Sequence, residues 1–67
     1  MAQTLVYKFR NHLPVIREAL DNQKDLREDR KLYKKIYKYY KDVGVIFTGD
    51  SETDYETILD CMYEDMV

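Results

Sequence analysis

Residues 24–41, KDLREDRKLYKKIYKYYK, divide into two faces when wound at about 100° per residue. Leu26, Tyr33, Ile36, Tyr37 and Tyr40 fall on one arc, with Leu32 and Tyr39 at its edge. Lys24, Arg27, Arg30, Lys31, Lys34, Lys35, Lys38 and Lys41 fall on the other, and no acid interrupts them. A chain with this stretch must bury one side of a long helix and leave the other in water or against something negative. Helix is therefore expected over 24–41, with a core built on its apolar arc.

That core has to be small. At 67 residues the chain is expected to be a single domain, residues 1–67, and domains of this size are marginal alone. Disulfides, a metal or a partner chain are the usual supports. One Cys forms no internal disulfide, and one Cys with one His is a poor basis for a zinc site. A partner, or a second copy of the chain, is the expected support. With 45% hydrophobic and 36% charged residues the composition is that of a folded protein, not a disordered one. No apolar run approaches the ~20 residues of a membrane span. The start, MAQTLVYKFR, lacks both the apolar run of a signal peptide and the Met-Gly of a myristoylation site. These features point to a soluble, cytoplasmic protein.

The net charge of −2 conceals a division. All eleven basic residues lie at or before Lys41, against five acids, a local charge of +6. From Asp42 onward there are eight acids and no Lys or Arg. Such a division implies a polyanionic partner, or charge matching within or between chains.

In QTLVYKFR, residues 3–10, Leu5, Tyr7 and Phe9 alternate with Val6, Lys8 and Arg10, a strand pattern. Leu5, Phe9 and Leu13 also stand four apart, which suits a helix. Pro14 marks a helix start, and Val15, Ile16, Ala19 and Leu20 give that helix, about 14–22, its buried stripe. Asp42-Val43-Gly44 ends the basic helix, with Gly44 as a left-handed cap. Val45 to Thr48 is β-prone and is expected to pair with the first strand. Ser51 is the expected cap of a last helix, 52–66. Its stripe is Tyr55, Ile58, Leu59, Met62 and Met66, and Glu56, Asp60 and Glu64 form an acidic ridge beside it.

The fold class expected is α+β: strand, helix, helix, strand, helix, with residues 14–41 forming an antiparallel helical hairpin. An all-α chain of three to four helices is the alternative. The expected core is Leu5, Tyr7, Phe9, Val15, Ile16, Ala19, Leu20, Leu26, Tyr33, Ile36, Tyr37, Val45, Phe47, Ile58, Leu59 and Met62.

Site chemistry is sparse. Asp50 to Asp54 carries oxygen ligands, but Tyr55 stands where a calcium loop needs Gly and Cys61 where it needs Glu. His12 and Cys61 belong to no defined motif, so neither an enzyme, a cofactor nor a metal is expected. Four like-charged pairs, Arg27/Lys31, Arg30/Lys34, Lys31/Lys35 and Lys34/Lys38, each cost a helix a few tenths of a kcal/mol. Counterions, phosphates or the acidic ridge could relieve them, and a solvated lysine face is the plain alternative. Tyr33, Tyr37, Tyr39 and Tyr40 could stack on single-stranded bases or anchor a protein interface; the plain alternative packs Tyr33, Tyr37 and Tyr40 in the core, which leaves Tyr39 as the better contact residue.

The expected function is a non-enzymatic protein-interaction module: a small regulator or inhibitor, monomeric or homodimeric, that binds through a charged helical face. Its contact residues would be Arg27, Arg30, Lys31, Lys34, Lys35, Lys38 and Tyr39 on one helix, and Glu56, Asp60 and Glu64 on the other. One alternative is nucleic-acid binding by helix 24–41. Another is acidic mimicry of nucleic acid by helix 52–66.

Overall fold

The computed structural model describes residues 4–66. The α+β expectation is overturned: there is no strand among the described residues, and four α-helices carry the fold. They are α1 (Thr4–Lys8), α2 (Leu13–Leu20), α3 (Arg30–Asp42) and α4 (Ser51–Met66). Two 3-10 turns, Arg10–His12 and Leu26–Glu28, lie before α2 and α3.

Tyr7 decides the first segment. Alternation would bury Leu5, Tyr7 and Phe9 together, but Leu5 and Phe9 are buried while Tyr7 is 78% exposed. Residues four apart share a face in both periods; residues two apart share one only in a strand. The Phe9 N–H donates to the Leu5 carbonyl at 2.9 Å, closing a helical turn. Tyr7 is thus not a core residue, and residue 3 lies outside the described range. The second expected strand, 44–48, runs from a turn at Gly44 into irregular backbone with no ladder partner. Val45 and Phe47 pack against the core while Ile46 stands 88% exposed.

Two helices end in the same way. Beyond α3, Gly44 takes φ 108°, its N–H donates to Lys41 O (3.2 Å), and the Val45 N–H donates to Tyr40 O (3.0 Å). Beyond α2, Asn22 takes φ 61°, with N–H bonds from Asn22 to Ala19 O and from Gln23 to Glu18 O. Both are Schellman closures, which satisfy the last carbonyls and reverse the chain.

The basic stretch is not one helix. The Asp25 carboxylate caps the 3-10 turn by accepting from the Arg27 N–H, and Asp29 caps α3 by accepting from the Leu32 N–H. The α-helix therefore starts at Arg30, not Lys24. Nor is Ser51 the cap of α4. Asp50 accepts from the Thr53 N–H (2.9 Å) and hydroxyl (2.7 Å), and Ser51 is the first helical residue.

Leu5, Phe9, Ile16, Ala19, Leu26, Leu32, Ile36, Tyr40, Ile58 and Met62 form one buried cluster. Of the three tyrosines on the apolar arc only Tyr40 is buried; Tyr33 and Tyr37 are half-buried against the core, and Leu32, at the edge of the arc, is buried in their place. Packing runs through α4, which meets α1, α2 and α3. The expected hairpin of residues 14–41 is replaced by this arrangement: α2 packs on α4 and on the 3-10 turn at 26–28. No helix among the described residues is long and apolar enough to cross a membrane.

Candidate charged interface

On α3 the buried residues are Leu32, Ile36 and Tyr40, one every four positions. Arg30, Lys34 and Lys38 each stand two residues before one of them, about 200° around the helix. They form the line turned furthest from the core. Lys31, Lys35 and Lys41 flank it, and all six cations are exposed. Among the described residues none of the six makes an ion pair.

The same geometry holds on α4. Asp54, Ile58 and Met62 are buried, and Glu56, Asp60 and Glu64 stand two residues after them, all exposed. Each ridge faces away from the core its helix helps to form. Among the described residues no ion pair joins the two ridges of one chain.

Arg27 behaves differently from the rest of the expected site. It lies in the 3-10 turn, half-buried, with its guanidinium bonded to Asp25 (2.7 Å) and to Glu52 (2.9 Å). The guanidinium also covers the Tyr55 ring, 4.4 Å from its centroid. Its hydrogen bonds to Asp25 first, and then to Glu52, push the Arg27 pKa further up. Arg27 ties the start of α4 to the turn before α3 and is not part of the free cationic ridge.

Tyr39 is half-buried too. It meets Phe9 edge-on (5.9 Å) and Tyr40 edge-on (5.0 Å), with the Lys8 ammonium 5.3 Å from its ring centre. Tyr37 stacks on Phe47 at 4.2 Å, and Tyr33 meets Tyr55 edge-on. The aromatic side chains of α3 are therefore occupied by the protein itself. Sequence reading missed two exposed apolar residues beyond α3, Val43 and Ile46, which are 60% and 88% exposed. Alternation around Ile46 in VIFT was the available signal, since it places Val45 and Phe47 on the opposite side.

The remaining reactive groups are used structurally. Asp54, 4% exposed, accepts from the Thr48 N–H (2.8 Å), the Thr48 hydroxyl (3.0 Å) and the Gly49 N–H (3.0 Å). Asp50 and Asp54 are thus committed to the helix start and the loop before it. Burial, then the charges of Asp65, Glu64 and Asp60, push the Cys61 thiol up, the reverse of what a thiolate nucleophile requires. Among the described residues no cluster of three or more His, Cys, Asp or Glu is placed to hold a metal.

Compared with known proteins, the chain matches no family model, no curated protein and no solved structure.

Proposed function

We propose that this chain is a non-enzymatic interaction module, a small regulator or inhibitor that docks a partner protein through the basic face of α3. One observation carries the reading: six exposed cations lie along the outward side of a capped helix, and the chain's own described acids leave them unpaired. Six like-charged contacts remain within α3: Arg30/Lys34, Lys31/Lys35 and Lys34/Lys38 at i, i+4, and Lys31/Lys34, Lys35/Lys38 and Lys38/Lys41 at i, i+3. An acidic surface would relieve them and would gain orientation from the match. Val43 and Ile46, just past the end of α3, offer the apolar contact that a lysine face lacks. A single cysteine, free as a thiol, suits a reducing cytoplasmic setting.

Nucleic-acid binding is the second reading, favoured by the same unneutralised cations. Phosphates would displace counterions, so affinity would fall steeply with salt. Because Tyr37 is already stacked on Phe47 and Tyr39 is packed edge-on against Phe9 and Tyr40, this reading rests on backbone contact with a duplex, not on stacking of single-stranded bases.

Retrieval of a partner from nuclease-treated lysate, with wild type and with Lys34→Glu combined with Lys38→Glu, separates the two. Retention by wild type and loss by the double variant is the expected result. Retention by both sinks the charged-face reading. Retention that disappears with nuclease transfers the face to nucleic acid.

A further inference from the structure

The negative surface best matched to the α3 ridge is one the chain itself carries. Arg30, Lys34 and Lys38 repeat at i, i+4, i+8, and so do Glu56, Asp60 and Glu64. Both ridges span about 12 Å at 1.5 Å per residue, so three cations meet three carboxylates in register. Both lie about 200° from the buried line of their helix, as far outward as a helical side chain can be placed. Within one chain no ion pair among the described residues joins them. The one ion pair among the described residues that joins distant parts of the chain, Arg27 with Glu52, sits beyond the ends of both ridges.

We infer that the α3 ridge docks the α4 ridge of a second copy of this chain, giving weak, salt-sensitive self-association. This rests on the reading of the basic face as a docking surface. Each ridge repels itself at every i, i+4 step, and the other ridge removes that repulsion at matching intervals. Exposed ion pairs contribute little singly, so the association is weak and fades as salt screens it. Register supplies the specificity, as flanking charges do between paired helices.

Sedimentation velocity over a concentration series, at low and at high salt, reads the outcome. For wild type the weight-average mass should rise with concentration at low salt and return to that of the monomer at high salt. Lys34→Glu with Lys38→Glu, and separately Asp60→Lys with Glu64→Lys, should each remain monomeric. An equimolar mixture of the two variants should associate again, because each now carries the ridge the other lacks. That recovery also shows that both still fold. Glu18→Lys with Asp21→Lys changes exposed acids off the ridge by the same net charge and should leave self-association in place.

A wild type that is monomeric at every concentration and salt overturns the inference, and leaves capture of a foreign protein standing. Association that survives both ridge reversals overturns it as well. So does equal loss in the off-ridge variant, which would make net charge, not ridge pairing, the cause. Failure of the docking-face reading is seen separately, in the retrieval experiment.

Discussion

Asp54 sits at the first buried position of α4, where an uncompensated carboxylate would be costly. Three donors from the loop before the helix compensate it, and in doing so fix Thr48 and Gly49 over the helix start. Asp54→Ala would remove the acceptor and strand two backbone N–H groups. We expect a loss of about 2–3 kcal/mol, read from urea unfolding; a change within the scatter of surface substitutions would mean that the loop finds other partners. Asp50 and Asp25 give the residue scale a pH dependence. Bonds from Thr53 hold the Asp50 carboxyl below its ordinary 3.8, and the Arg27 guanidinium does the same for Asp25. The folded state then binds these protons less readily than the unfolded chain. The stability they contribute is complete above the unfolded value and is lost as pH falls through the folded one. The urea midpoint should hold steady down to about pH 5 and fall below about pH 4. Asp50→Asn should flatten part of that fall, and an unchanged acid slope in this variant would remove Asp50 from the account.

Among the elements, α2, α4 and the outward face of α3 were legible because their apolar residues recur at helical spacing without competition. Residues 4–9 were not, because Leu5 and Phe9 stand four apart, a distance that fits both periods. Only the exposure of Tyr7 separates the two, and exposure is a property of the fold. Residues 44–48 have strand composition, yet a strand requires a partner, and the helical first segment supplies none. The break in the basic stretch had a local signal in Asp25 and Asp29, each a good cap. Their position in the first turns suited the helix dipole equally well and so hid it. The break removes Arg27 from the ridge and leaves α3 with a denser, all-basic outward side. Among the cations of α3, Lys34 is the one with like charges four residues away on both sides. Lys34→Gln should therefore raise stability by a few tenths of a kcal/mol at low salt. The gain should vanish at high salt, where the charges are already screened. Urea unfolding of both proteins at the two ionic strengths checks this, and a gain that persists in salt would assign it to something other than charge.

For the molecule as a whole, the most charged helix and the most structural helix are different ones. The sequence is dominated by the basic stretch, but it is the acidic α4 that meets all three other helices. Ile58 and Met62, both fully buried, stand at that junction. A domain of this size has a total stability of about 3–10 kcal/mol at 0.05–0.15 kcal/mol per residue. Removing three carbons from a buried Ile costs about 2–5 kcal/mol, since the lost transfer energy is joined by the cavity left behind. Ile58→Ala is therefore expected to consume much of the stability of the whole chain, and all four helices should melt together because they share one core. Ile46→Ala makes the same chemical change at a site 88% exposed and should shift stability by no more than about 0.5 kcal/mol. Thermal unfolding followed by far-UV circular dichroism compares the two directly. Similar melting points for the two variants would place the centre of the fold somewhere other than α4. A large loss in Ile58→Ala alone would place the stability of the fold in the apolar line of α4, on the side opposite its acidic ridge, because the helices are held together there.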